Sequence, residues 1–200
     1  VNRDRTCYVR YVSYRVNDNK GTLNSSCGTR FVKDVLYSLK TPEAVAVTTD
    51  PSIARFMLGD IFVQVPGHDE MPKVNLLGCN DQFWKVYSFN FREGKPFTEA
   101  DFQSLARRLF GENEATGQTL LINEARYTVS GVVADVSGVT SDVYAEVWVP
   151  YSSLNAIMKQ MTSEQNGSAG PLIANILLHD AKDIGALTDE LAESVKRYNT

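Results

Sequence analysis

The sequence lacks the residues and patterns of several common functional classes. It has two histidines and three cysteines in 200 residues, with no C-x-x-C pair, which excludes a zinc site of the usual Cys/His spacing. Its formal net charge of −4 excludes a general nucleic-acid binder, which needs clustered positive charge. A run of about 18 apolar residues is also absent, so no part of the printed chain is predicted to cross a membrane. Nucleic acid, metal and cofactors are therefore not expected partners.

A substantial apolar fraction is present instead. Apolar residues make up 43% of the chain, with nine Tyr and nine Phe, which is enough to build a packed core. The length fits one large domain or two small ones. The chain starts at Val1 without a charged-then-apolar leader, so we expect a signal peptide to be absent or removed and the chain to be a piece of something longer.

The cysteines leave two alternatives open. Cys7, Cys27 and Cys79 form an odd set, which is poor evidence for a disulfide framework. Three free thiols are the default expectation, and a single Cys7–Cys27 bridge in an oxidising compartment is the alternative.

Both ends of the chain combine strands with amphipathic helices. Strands are predicted over Cys7–Val16, Ala44–Thr49 and Leu172–His179, and the segment "NDNKGTLNSS" is predicted as a loop. Helices are predicted over Thr29–Leu39 and from Ile184 to Tyr198, with a further amphipathic pattern from Leu154 to Met161. We expect the three strands to share one sheet backed by the two helices, with Val1 and Thr200 at the same end.

The middle of the chain is rich in predicted strands. "DIFVQV", "KVNLLGC" and "DVYAEVWVP" read as strands, and "TLLI" with "RYTVSGVVADV" reads as a hairpin in which Gly131 marks a bulge. Asn80 or Asp81 is predicted to cap a short helix that carries Phe83, Trp84 and Tyr87.

One glycine-framed loop has the outline of a phosphate-binding loop. Gly111 to Thr119 follows two arginines and precedes an apolar run. Five residues rather than four separate its glycines, Gln118 stands where the lysine belongs, and no strand leads in. Two glutamates in the loop would also repel a triphosphate. A helix that ends at Gly111 explains the same residues without a phosphate.

The remaining candidate residues for catalysis or metal binding are also explained as ordinary surface features. His68, Asp69 and Glu70 lie between prolines and read as a solvated loop, and His179 ends an apolar strand with no carboxylate or cysteine partner evident in the sequence. Arg107, Arg108 and Lys95 read as a solvated basic patch, and no serine has the G-x-S-x-G frame of a hydrolase elbow. We therefore predict no catalytic, cofactor-binding or metal-binding residues.

Six short segments in fixed order resemble one known family. They are Phe83/Trp84, Gly94–Phe97, Ala106–Gly111, Gly117–Ile122, Tyr127–Asp135 and Val147–Pro150. Over about 70 residues this order resembles the MacB-like periplasmic core domain of ABC transporter permeases of the MacB/FtsX type. The N-terminal part, with "SLKTPEAVAVTT", is similar to the shorter Bacteroides-type members.

The resemblance implies a two-lobed α+β fold. A porter-like split βαβ lobe would comprise residues 1–64 and 151–200, and an inserted β-rich, sabre-like lobe would comprise residues 65–150. It also implies a non-enzymatic domain on the periplasmic side of the bacterial inner membrane. Such a domain couples ATP-driven conformational change to substrate export or to periplasmic partners.

The partners that the resemblance implies are the membrane helices of the same permease and, indirectly, its ATPase subunit or domain. A second permease protomer or a periplasmic adaptor is a further partner of such domains. The alternative function is a stand-alone periplasmic binding protein or hydrolase, which a polar pocket with convergent titratable groups would favour.

The chain departs from the family between Asp101 and Leu105. Members have roughly a dozen residues there, including a short apolar strand, whereas three residues stand here. Either one strand is deleted here or a segment of the natural chain is missing. We expect the missing segment, because losing a strand would leave an unpaired sheet edge.

Overall fold

The structure, a computed structural model, describes most of the chain. The described residues are 4–9, 11–15, 20–24, 26–87, 89, 91–94, 99–100, 109–111, 113–123, 125–133, 143–154 and 170–198. The predictions for Lys95, Arg107, Arg108, the segment from Asp101 to Leu105 and most of the Leu154–Met161 pattern fall outside these ranges.

Helices and strands are both well represented, which confirms the predicted α+β fold. The helices are α1 (Thr29–Asp34), α2 (Pro51–Leu58), α3 (Phe83–Val86) and α4 (Ile184–Tyr198). The strands are β1 (Thr6–Tyr8), β2 (Tyr11–Arg15), β3 (Lys20–Asn24), β4 (Pro42–Thr49), β5 (Ile61–Gln64), β6 (Lys73–Val74), β7 (Leu76–Cys79), β8 (Phe91–Gly94), β9 (Glu99–Ala100), β10 (Thr119–Ile122), β11 (Ala125–Thr128), β12 (Gly131–Val133), β13 (Val147–Pro150) and β14 (Leu172–Leu178).

Within the described ranges the strands form one large sheet, one small sheet and a ribbon. The large sheet has eight strands in the order β1-β14-β4-β7-β13-β9-β12-β8. The small sheet has the order β11-β10-β5-β6, and β2 pairs with β3. We call β1, α1, β4, β14 and α4 the terminal region, and β5 to β13 with α3 the middle region. The first three strands of the large sheet belong to the terminal region and the next five to the middle region.

Strand β14 is the centre of the terminal region. All seven of its residues are buried, because it lies between β1 and β4 and is covered on both faces. One face packs with α1 and α4 around Phe31 and Leu187, and the other faces α3 through Leu177. A continuous apolar strand is the pattern expected where both faces are buried.

Two predicted strands turn out to be split between sheets. The "KVNLLGC" strand gives β6 to the small sheet and β7 to the large one, and the "RYTVSGVVADV" strand divides in the same way into β11 and β12. Between β6 and β7, the Asn75 carbonyl accepts hydrogen bonds from the Glu146 and Val147 N–H groups at 2.8 and 3.1 Å. Both splits carry the chain from one layer of the middle region to the other.

The N-terminal predictions need correction. The predicted Cys7–Val16 strand is two strands: β1 joins β14, whereas β2 pairs with β3, which had been predicted as loop. The predicted Thr29–Leu39 helix is helical only to Asp34, and a 3-10 turn over Leu36–Ser38 follows it. Helix α2 was not predicted at all, although Asp50 caps it, Pro51 begins it and Gly59 ends it.

The described residues do not support a common end for the two termini. Val1 and Thr200 lie outside the described ranges, but Arg5 donates to the carbonyl of Leu178 at one end of β14. Tyr198 packs edge-to-face on Phe31, near Cys27, which bridges to Leu172 at the other end. The predicted common end of Val1 and Thr200 stays a prediction, because neither residue lies in the described ranges.

The predicted lobe boundaries at 64/65 and 150/151 stay a prediction. Strand β5, on the terminal side of that division, pairs with β6 and β10 of the middle region. The eight-stranded sheet runs across the division.

Candidate functional site

A cleft of about 740 Å³ opens where the terminal and middle regions meet. Its walls come from the 3-10 turn and β4 on one side and from the end of β7 and the start of α3 on the other. The lining residues are Leu36, Tyr37, Leu39, Pro42–Val45, Cys79–Gln82 and Pro150–Ser152. The cleft therefore lies beside the contact between β4 and β7, which we call the β4–β7 joint.

The β4–β7 joint is narrow. Over the described residues of both strands, β4 pairs with β7 at Thr48 and Cys79 alone. On one side of this pair the Gly78 N–H donates to the Thr49 hydroxyl at 3.0 Å, a side-chain acceptor in place of a backbone carbonyl. A Cβ on Gly78 would collide with the side chain of Leu154 and lie 3.0 Å from Cγ2 of Thr49, so a larger residue here would displace these two side chains.

On the other side of the pair Asn80 continues the sheet with its side chain. Its backbone N–H donates to the carbonyl of Val47 at 3.0 Å, as in an ordinary ladder. Its backbone carbonyl turns away and accepts from the Phe83 N–H at 3.2 Å, where the chain enters α3. The side-chain carbonyl takes its place and accepts from the Val47 N–H at 3.0 Å. The amide nitrogen donates to the carbonyl of Val45 at 2.8 Å.

This arrangement corrects the prediction for Asn80. The residue does not cap α3, whose N-cap is Gln82 without a side-chain cap bond. Asn80 is 7% exposed, and its carboxamide bridges the two regions instead. Polar residues are rarely this buried without full hydrogen bonding, and here both ends of the amide are used.

Two tyrosines extend the joint into the cleft. The Asn80 amide also donates to the Tyr37 hydroxyl at 3.2 Å, and Tyr37 is hydrogen-bonded to Tyr151. Desolvation and the Tyr151 hydroxyl raise the pKa of Tyr37 well above its usual range. Tyr37 is therefore a neutral hydrogen-bonding group at physiological pH and not a base.

Charged residues hold the terminal side of the cleft together. Arg5 donates to Glu43 Oε2 at 2.9 Å and to the carbonyls of Leu178 and His179 at 2.8 and 3.0 Å. His179, for which the sequence shows no partner, has its Nδ1 3.9 Å from the same Glu43 oxygen. The group ties β1, β4 and the end of β14 together.

Glu190 attaches α4 to the start of β4. Its two carboxylate oxygens accept from the Lys40 N–H at 2.7 Å and the Thr41 N–H at 3.0 Å. Partial burial raises the pKa of Glu190, but these backbone donors outweigh it and the net pKa is lowered. Helix α4 is thereby fixed to the strand that lines the cleft.

The glycine-framed loop is a helix end followed by a turn, as predicted. Phe110 is helical, and Gly111 follows it with φ of 66°, the left-handed value that glycine adopts at a helix end. Two loop N–H groups already have internal acceptors: Ala115 donates to Glu93 Oε2 at 3.1 Å, and Gly117 donates to the carbonyl of Val129 at 2.7 Å. Backbone donors bonded in this way are not free to hold a phosphate.

The other candidates stay separate from the cleft. His68, Asp69 and Glu70 are exposed, and in the described part of the chain no group of three or more His, Cys, Asp or Glu residues could hold a metal. The cysteines are free thiols, as in the default prediction. Burial raises the pKa of Cys27 to about 12, and its thiol donates to the Leu172 carbonyl at 3.3 Å.

Sequence reasoning missed Asn80 and Glu190 as structural connectors. The only local signal for Asn80 was its position between an apolar strand and an aromatic helix, which a helix cap explains equally well. Glu190 reads as one more acidic residue on the polar face of an amphipathic helix.

The sequence pattern of the MacB-like periplasmic core domain matches residues 4–194. The "Uncharacterized ABC transporter permease YknZ" of Bacillus subtilis is 25% identical over 147 residues, which are 66% of this chain and 34% of that protein. The chain thus spans about a third of the length of this relative.

Solved structures share the fold. A domain of a putative permease from Porphyromonas gingivalis superposes with a TM-score of 0.71 at 17% identity, covering 98% of this chain and 82% of that one. The periplasmic region of MacB from Actinobacillus actinomycetemcomitans gives 0.60 at 16% identity, covering 96% and 83%. No helix among the described residues is long and apolar enough to span a bilayer.

Proposed function

The chain belongs to the family of MacB-like periplasmic core domains, the part of an ABC transporter permease outside the cytoplasmic membrane, and from that membership we propose how it works. The domain couples ATP-driven conformational change in the membrane helices to substrate export or to periplasmic partners. It does so by a rotation of the middle region relative to the terminal region. The proposal rests on the family match and not on the chain ends, whose predicted common side the described residues do not support.

The observation that carries the proposal is the contrast in how β4 is held. Strand β14 pairs with β4 over seven residues, whereas the β4–β7 joint has one residue pair, one backbone bond from the Asn80 N–H to the Val47 carbonyl, and bonds to the Asn80 and Thr49 side chains. Shear movements slide packed elements over one another, and an apolar cluster that contains Ala44, Ala46 and Phe83 crosses this boundary. The terminal and middle regions are therefore the two bodies, and the β4–β7 joint is where they turn.

The packing around the joint is compatible with sliding. Helix α3 lies over β4 at Ala44 and Ala46, whose side chains are small, whereas Val45 and Val47 point to the opposite face. A helix moves over a smooth surface with less repacking than over interlocked large side chains. We expect a small shear of α3 to accompany the turn.

We propose that the domain does no chemistry of its own. The cleft tyrosine Tyr37 is held neutral, and the Ala115 and Gly117 N–H groups of the glycine-framed loop are bonded within the protein. Its partners are expected to be the membrane helices of the same permease, the ATPase through them, and a second protomer or a periplasmic adaptor.

The test is to hold the cleft closed in the full-length permease assembled with its ATPase. Glu43 and Asp81 are exposed and line the cleft on β4 and beyond β7. Both are replaced by Cys in a Cys7→Ser background and bridged with bis-methanethiosulfonate reagents of increasing length. The shortest reagent that bridges should slow ATP hydrolysis about fivefold or more, because conformational steps limit such cycles.

The controls separate bridging from labelling. Each single-Cys variant receives the same reagent and should keep the parent rate, which also accounts for the loss of the Arg5–Glu43 pair. Reduction of the bridge should restore hydrolysis. Complete bridging with an unchanged rate of ATP hydrolysis would show that the two regions do not move in the cycle.

A further inference from the structure

We propose that the Asn80 carboxamide is the latch of the β4–β7 joint: its hydrogen bonds to Val45 and Val47 set the resting angle between the terminal and middle regions. The inference rests on the proposed function, because it names the residue that controls the proposed rotation between the two regions.

The geometry favours a latch because side-chain bonds stand where backbone bonds would normally be. The Val47 N–H is held by the side-chain oxygen of Asn80, and the Val45 carbonyl by its amide nitrogen. A carboxamide turns about its own side-chain bonds, so both contacts release without any change in the path of β7. A backbone ladder cannot release in this way, because its donors and acceptors move with the strand.

A second partner for the amide lies in the cleft. Asn80 Nδ2 is 2.8 Å from the Val45 carbonyl and 3.2 Å from the Tyr37 hydroxyl. Tyr37 lines the cleft, so one amide hydrogen stays bonded to its hydroxyl while the other leaves Val45. Retaining a partner lowers the cost of releasing a buried amide.

A further polar group at the joint has no hydrogen-bond partner in the described part of the chain when the latch is engaged, the state that we call the closed joint. The Thr48 hydroxyl is buried, with Thr48 1% exposed, and has no hydrogen-bond partner among the described residues. A buried polar atom without a partner destabilises the arrangement that buries it. The closed joint therefore combines a releasable latch with a local penalty for staying closed.

The experiment measures the angle between the regions in the 200-residue chain. Spin labels are placed at Ala192 on α4 and Arg126 on β11, both exposed, in a Cys7→Ser background. Pulsed dipolar spectroscopy on the parent should give one narrow distance distribution. Asn80→Leu keeps the size and removes both hydrogen bonds, and it should broaden the distribution at least about twofold or shift its maximum.

The matched control lies on the opposite edge of β4. Asn175 is 9% exposed in β14, where it pairs with Ala46, so Asn175→Leu also removes a buried carboxamide next to β4. This variant should keep the parent distribution even if its melting temperature changes. An Asn80→Leu distribution identical to that of the parent, or equal broadening in Asn175→Leu, would overturn the latch.

Amide exchange in the unmutated chain gives an answer that does not depend on folding of the variant. If the latch opens locally, the Val47 N–H should exchange at least about tenfold faster than the Ala46 N–H, which belongs to the ladder with β14. Equal exchange of the two amides would refute the latch. These measurements need neither nucleotide nor membrane, so their failure is distinguishable from failure of the ATPase experiment.

Discussion

The two edges of β4 are held in different ways. On one edge, seven residue pairs join β4 to β14 in a backbone ladder with a single register shift between Leu177 and Leu178. On the other edge, the Thr48–Cys79 pair is flanked by hydrogen bonds to the side chains of Thr49 and Asn80. The same strand is thus a rigid part of the terminal region and one half of a joint.

The difference shows how a continuous sheet can contain two mechanical units. A backbone ladder resists both sliding and twisting, because every second residue along it contributes a pair of directional bonds. Side-chain bonds fix an angle but allow it to change, at a cost of about 1–3 kcal/mol for each buried group left unpaired. The strand order of the sheet does not show this difference, because β14, β4 and β7 are simply neighbouring strands in it.

The largest effect should come from the ladder edge. Ile176 is fully buried in β14, so Ile176→Ala should lower the free energy of unfolding by about 2–5 kcal/mol through lost burial and a cavity. Urea unfolding measures the loss. Ile184→Ala is the matched control, because Ile184 is 47% exposed, and it should change stability by less than about 0.5 kcal/mol. Equal losses in the two variants would contradict the placement of the core.

The joint edge should respond to crowding. Gly78→Val puts branched carbons where Leu154 and Thr49 already stand, and overpacking of this kind costs about 1–3 kcal/mol. The Val47 N–H should lose exchange protection while the β14 ladder keeps it. Gly185→Ala is the control, since nothing lies within 4 Å of a Cβ there and the helix should gain stability. Loss of protection along both edges of β4 would mean that the edges are not independent.

Glu190 should make the terminal region sensitive to acid. Because its pKa is lowered in the folded state, the carboxylate contributes stability above its ordinary value of 4.5, and this is lost as the pH falls through the folded pKa. Glu190→Gln should cost about 1 kcal/mol at pH 7 and should flatten the fall in stability below pH 4.5. Melting temperatures across this range test it. An unchanged pH profile would show that the carboxylate bonds to Lys40 and Thr41 contribute nothing.

The smallest expected effect is a gain in stability at the joint. Thr48→Val removes the unpaired hydroxyl and keeps the shape of the side chain, so it should stabilise the chain by about 0.5–1 kcal/mol. Thr188→Val is the contrasting case, because the Thr188 hydroxyl is exposed and donates to the Ile184 carbonyl at 2.8 Å. A destabilised Thr48→Val chain would mean that the hydroxyl has a partner and that the closed joint carries no penalty.

Patterns that depend on local periodicity were predictable. The apolar run of β14 and the helix from Ile184 to Tyr198 follow from spacing, and each was found close to its predicted bounds. The β10–β11 hairpin was found as well, with a second strand shorter than predicted. Helix α2 was also predictable, although it was not predicted: Asp50 is a typical N-cap, Pro51 a typical first residue and Gly59 a typical helix end.

Features that depend on distant partners were not predictable. Apolar alternation continues through Asn75 and Ser130, so it could not show that the chain changes sheets there. The role of Asn80 depends on Val45 and Val47, more than thirty residues away, and on the use of its own carbonyl by Phe83. Asn is a common residue both at helix caps and where a side chain replaces a backbone hydrogen bond of a strand. Only the fold shows which of the two roles Asn80 has.

The most direct test of the account is the distance between the two regions during the ATP cycle of the full-length permease. Spin labels at Ala192 and Arg126 report it in the assembled transporter, without nucleotide, with a non-hydrolysable ATP analogue and after hydrolysis. The account predicts two distances whose populations change with the nucleotide, and an Asn80→Leu variant in which the resting distance loses population. A single distance that stays the same in every nucleotide state would contradict it.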